Sequence, residues 1–153
     1  MKGSTQRAGQ KRIGEIEMAA TTYQTPAEVA VPAATVRGWL RLEGAAAFIA
    51  GMALFGWLGG PWLIILPLLL LPDLSAVGYL RGPRLGAFTY NVVHNWALGL
   101  AVLGAAFAID SMPFAIAGAV LVAHVGMDRA VGYGLKLPTS FHDTHLGRMG
   151  RGK

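Results

Sequence analysis

The sequence predicts an all-α integral membrane bundle of four transmembrane helices, and three observations carry that prediction. Of its 153 residues, 54% are hydrophobic and only 14% are charged. The apolar residues gather into blocks nearly free of charge, and such blocks read as membrane spans once they approach about 18–20 residues. All 13 Lys and Arg residues fall in three places: the chain up to Arg41, the "RGPR" stretch at 81–84, and the region from Arg129 onward. Four crossings put those three regions on one side of a membrane, and the retention of basic loops in the cytoplasm makes that side cytoplasmic. Both termini are then cytoplasmic, and the chain is expected in the cell inner membrane, surrounded by membrane lipids.

Taken in order, residues 1–36 mix charge, Thr, Pro and Ala without sustained periodicity, and they read as a flexible cytoplasmic tail in which Met18 is a candidate start. The first apolar segment, 38–58, is flanked by Trp39 and Trp57, side chains suited to the two membrane interfaces. The second, 61–80, opens on Pro61 at a tolerated helix start but carries Pro67 and Pro72 inside, so a kink is predicted there. The third, 85–109, contains no formally charged residue and is expected as one helix. The fourth, 112–134, ends in "GYG", whose glycines read as a helix stop or as flexible backbone beside the polar layer. Residues 37–134 thus form the four-helix domain, and 135–153 is a short cytoplasmic segment completing a polar site.

Composition removes several chemistries. There is no cysteine, which excludes disulfides, thiolate metal sites and cysteine nucleophiles. The formal charge of +5 follows from topology and calls for no nucleic-acid partner.

What requires a cause is the depth of the ionisable residues. Glu43 lies just past Arg41, Asp73 precedes Arg81, His94 follows Arg84, and His124 precedes Arg129, so all four occupy the cytoplasmic halves of their helices. Charges in membrane helices cost several kcal/mol unless paired, hydrated or turned inward. On the third helix Tyr90, Asn91, His94 and Asn95 are spaced to share a face, and His124 and Asp128 project together from the fourth. The following "FHDTH" supplies His142, Asp143 and His145. Imidazoles with carboxylates suit zinc or a similar divalent metal, and an open position on such an ion activates water. His94, His124, Asp128, His142 and His145 are therefore candidate ligands, Asp73 a ligand or general base, and Glu43 a base or an orienting group.

Each has a plainer reading. His124 and Asp128 also suit an interhelical hydrogen-bonded pair, "FHDTH" a local turn, Glu43 an ion pair with Arg37 or Arg41, and Asp110 a loop cap.

The segments "RLEG" (41–44), "LPDLSAVGYLRGPRLGAFTYNVVHN" (71–95), "AHVGMDRAVGYGLK" (123–136) and "FHDTHLG" (141–147) resemble the bacterial membrane family catalogued as domain of unknown function 4260, over about residues 38–150. The resemblance implies a small multi-spanning protein and brings no activity with it. "HVGMD" (124–128) also matches, in spacing only, the H-x3-D element of membrane lipid phosphatases of the phosphatidic-acid type, whose Lys/Arg phosphate motif and Ser-Gly-His element are missing. Two functions are carried forward: a metal-dependent membrane hydrolase acting on a lipid or amphipathic substrate, and a non-enzymatic accessory or scaffold whose polar cluster is a structural hydrogen-bond network. In the second, the small residues of "GAAAFIAG" (44–51) and "LGLAVLGAAFA" (98–108) pack helices closely, within the chain, in a homo-oligomer or against a membrane-protein partner. Transport ranks below both, because the outer halves of the helices are almost wholly apolar.

Overall fold

The computed structural model describes residues 33–149, so the expected tail over 1–32, with Met18, and the last four residues lie outside the described part. Helix α1 spans Ala33–Trp57, taking residues 33–36 out of the expected tail and into the helix. After the glycines at 59 and 60 the chain resumes as a 3-10 turn, Trp62–Ile64, then α2, Ile65–Leu70, and then an eleven-residue 3-10 helix, Leu71–Arg81. Instead of the predicted kink, the change here is to a tighter helix within one continuous stretch, Trp62–Arg81: Pro72 sits at the start of the tighter part, where its missing N–H removes an α-helical bond.

The expected third helix is broken in two. Helix α3 covers Pro83–Val93 and α4 covers Trp96–Ala108, with a 40° bend between them. Asn95 makes the break: its backbone is extended, and its side-chain oxygen accepts from the Leu98 N–H at 3.1 Å, starting a new helix where the apolar pattern runs on. Helix α5 spans Met112–Val131 and ends on Gly132 in the left-handed conformation, so this glycine of "GYG" is a helix stop. Asp110, at φ 50°, occupies the turn between α4 and α5, as its loop reading anticipated. Beyond α5 the chain folds back as a small antiparallel hairpin, β1 Asp143–Thr144 with β2 Gly147–Arg148.

Three helical stretches, Ala34–Trp57, Trp62–Arg81 and Met112–Val131, are long and apolar enough to cross a membrane, and the bent pair α3 and α4 makes a fourth if counted as one span. The outer faces are apolar to match: Leu63 is 96% exposed, Phe107 93% and Leu80 85%. An exposed apolar surface on that scale is far beyond what a soluble monomer carries.

Packing centres on α5. Helix α3 lies on the Leu71–Arg81 helix, while α4 and α2 lie on α5. Helix α1 approaches α5 backbone to backbone through Gly44 and Gly51; a Cβ at Gly51 would stand only 2.6 Å from the Ala123 nitrogen. At the far end Phe55, Ala119 and Val120 form an apolar core with Leu58, Ile65 and Leu68, closed by the edge of Trp62 against Phe55. At the other end, α5 buries His124, Asp128 and Arg129 among its apolar neighbours.

Candidate metal centre

Three elements bring together three side chains that could hold a metal, Asp73, His94 and His124, with Asp128 beside them. Asp73 comes from the first turn of the 3-10 helix, His94 from the junction of α3 and α4, and His124 and Asp128 from successive turns of α5. His94 and His124 face each other Nε2 to Nε2 at 2.9 Å. The Asp73 Oδ1 lies 3.3 Å from His94 Nε2 and 3.6 Å from His124 Nε2, and the Asp128 Oδ2 stands 3.9 and 4.0 Å from the same two nitrogens. Both imidazoles are buried, whereas the Asp73 side chain is 47% exposed and gives the cluster its open side.

The far nitrogens decide what the near ones can do. His124 Nδ1 lies 2.5 Å from the Leu69 carbonyl oxygen, and His94 Nδ1 lies 2.9 Å from that of Tyr90. A carbonyl oxygen only accepts, so each Nδ1 carries a proton, and a ring with no second proton presents a lone pair at Nε2. Two such lone pairs and the carboxylate oxygens of Asp73 and Asp128 converge. Acceptors packed this way repel one another unless a cation lies among them.

The surrounding bonds hold these side chains in place, as supporting groups would in a metal site. Tyr90 donates its hydroxyl to Asp128 Oδ2 at 2.6 Å and stacks its ring on that of His94, centroids 3.5 Å apart. The Ser75 hydroxyl lies 3.5 Å from His94 Nδ1. The break at Asn95 matters here, because it frees His94 from a regular helix at φ −94°, ψ 36° and turns its ring toward α5.

The C-terminal segment supports this layer from outside. Asn91 clamps the backbone of Lys136, donating to its carbonyl at 2.9 Å and accepting from its N–H at 2.7 Å. The buried Lys136 ammonium donates to the Phe141 carbonyl at 2.9 Å and lies over the rings of Phe141, at 4.0 Å, and Tyr90, at 5.0 Å. Burial pushes this ammonium below the usual lysine range.

The remaining candidates do not reach the cluster. His142 is exposed beside the Phe141 ring, on the outside of the turn leading into β1. His145 is held by the Leu135 backbone, which returns its ring toward Arg129 instead of His94. Glu43 lies next to Gly44, about 100° around α1 from the face that packs on α5, and lines a separate cavity with Arg129 and His145. Among the described residues Glu43 makes no ion pair within 4 Å, neither with Arg37 nor with Arg41. Sequence reading of the cluster passed over Ser75, and placed Tyr90 on the right face without its bond to Asp128. The i, i+4 spacing of Tyr90 and His94 was the available signal.

Fold and site together define a small helical protein with three to four helices able to cross a membrane and a His/His/Asp cluster, with a second Asp beside it, near one end. The chain belongs to the family described as Domain of unknown function (DUF4260), whose model matches residues 37–149. No curated protein and no solved structure matches it.

Proposed function

We propose that this is a four-span protein of the bacterial inner membrane that holds one divalent metal ion, zinc or a similar ion, between His94, His124, Asp73 and Asp128, and that it hydrolyses an amphipathic substrate there. The observation that carries the reading is the convergence of the two Nε2 atoms and the Asp73 carboxylate, with Asp128 beside them. Two nitrogens and two oxygens suit zinc, and the ion would supply a Lewis acid that makes water nucleophilic at neutral pH. Asp73, the exposed member, is the one placed to exchange between ligation and proton transfer.

Substrate class follows from what adjoins the cluster. An apolar groove of about 820 Å³ runs from Pro61 and Pro113, along Leu68 and Ile116, to Ser75 and Val93. Ser75 touches His94, and Pro72 and Leu74, which line the groove, flank Asp73. The groove passes beside the cluster without including any of its four residues, and an acyl chain lying there is what an amphipathic substrate supplies.

The test is metal analysis of the protein purified in mild detergent without added metal, followed by ester hydrolysis with and without chelator. Close to one divalent ion per chain is expected, lost in His94→Ala and His124→Ala and kept in His142→Ala. Activity should fall with the metal and return on its readdition. Metal content near zero, or unaltered in the first two variants, defeats the proposal.

The close α1–α5 contact at Gly44 and Gly51 favours the second reading, a scaffold whose polar cluster stiffens the bundle around a shared proton. In that case His94→Gln lowers detergent stability, with no metal and no reaction to lose.

A further inference from the structure

The basic end of the bundle holds a second polar cavity, of about 230 Å³, lined by Leu40, Glu43, Trp96, Arg129, His145 and Leu146. Its donors are arranged in a way opposite to the acceptors of the metal cluster. Arg129 is 91% buried yet has no carboxylate within 4 Å among the described residues. Its contacts are long: Nη1 lies 3.5 Å from the Tyr133 carbonyl oxygen and 3.5 Å from His145 Nε2.

The tautomer of His145 is fixed by its other nitrogen. The Leu135 N–H donates to Nδ1 at 2.9 Å, so Nδ1 is the bare atom and Nε2 carries the proton. Arg129 Nη1–H and His145 Nε2–H are then two donors facing each other at the wall of a cavity. An acceptor lodged in the cavity would satisfy both, and an oxyanion does so with a charge-assisted bond. Glu43, at the same wall, would repel a simple anion but attract a cation placed beside one, and Trp96 lines the same cavity.

We propose that this cavity binds a phosphate group carried next to an ammonium, the chemistry of a phosphoethanolamine headgroup. The phosphate oxygens sit between Arg129 and His145, and the ammonium sits against Glu43. Leu40 and Leu146 border the polar groups with apolar surface, as the start of a lipid's acyl chains requires. The inference concerns binding alone and holds whether or not the Asp73–His94–His124 cluster takes a metal.

The experiment is thermal unfolding of the full chain in mild detergent, with added phosphatidylethanolamine, phosphatidylglycerol, soluble phosphoethanolamine or inorganic phosphate. A ligand of the folded state raises the melting temperature by mass action. Phosphatidylethanolamine should raise it by several degrees and phosphatidylglycerol by less. Glu43→Gln, at an exposed position, should erase the difference between the two lipids, and His145→Ala should abolish the shift. Arg129→Gln should also abolish it if that variant folds. Phosphoethanolamine alone giving the full shift would assign the same chemistry to a soluble source. No shift with either amine-bearing ligand, equal shifts with phosphatidylglycerol or inorganic phosphate, or shifts untouched by Glu43→Gln and His145→Ala overturn the proposal.

Discussion

At the scale of single residues, the chemistry of the cluster rests on atoms one bond removed from it. Tyr90 is the sharpest case, because its hydroxyl bonds Asp128 at 2.6 Å while its own carbonyl fixes the tautomer of His94. Tyr90→Phe keeps the carbonyl and the ring stacked on His94 and removes only the donor to Asp128. Orienting partners of metal ligands are typically worth 10–100-fold in affinity. We therefore expect Tyr90→Phe to fold normally and to weaken divalent-metal affinity roughly 10-fold or more, read by competition with a chromophoric chelator; an unchanged affinity would remove Asp128 from the ligand set. The four clustered residues were legible as ionisable groups toward one end of apolar helices, but the same depth also nominated Glu43, which lines a separate cavity because helix rotation and not depth decides which way it faces. His142 and His145 were not legible, because their direction is set by the turn of a hairpin and by the Leu135 backbone, and no periodicity encodes either.

At the scale of elements, apolar runs marked where helices lie but not where they pause. The third run looked continuous because nothing in its hydropathy stops at residue 94; the stop comes from Asn95, whose short side chain competes for backbone donors. Small residues told more, since the backbone contact of α1 with α5 is what the "GAAAFIAG" stretch allows. The contact makes a controlled prediction. At Gly51 a Cβ would meet α5 backbone at 2.6 Å, whereas at Gly104 on α4 nothing lies within 4 Å. Gly51→Ala must push two helices apart and should cost about 1–3 kcal/mol, the scale of overpacking. Gly104→Ala removes helix-interior glycine and should stabilise by about 0.5–1 kcal/mol. Unfolding of both variants in the same detergent checks the pair, and equal effects would mean that the α1–α5 approach is not tight in the folded protein.

At the scale of the whole molecule, three helices are long and apolar enough to cross a membrane, and the bent pair decides whether a fourth crossing is expected. Helix α5, with 20 residues, separates Ser111 from the end that holds Asp128 by roughly 30 Å, about the thickness of a bilayer's hydrocarbon core. Tyr90 of α3 touches Asp128 at one end of α5, while α4 runs out to Ala108 and the turn that starts α5 at the other. The bent pair therefore reaches from one end of α5 to the other, as a fourth crossing requires. Basic charge agrees, since a three-span chain would put Lys136 and Arg148 on the opposite side from Arg81 and Arg84. The absence of native cysteine allows a direct check by single-cysteine labelling. Thiol reagents should reach Thr35→Cys, Arg84→Cys and Arg148→Cys only from the cytoplasmic side, and Ser111→Cys only from the outer side. Labelling of Arg148→Cys from outside, together with Ser111→Cys from inside, would instead establish three crossings and a re-entrant α3–α4 pair.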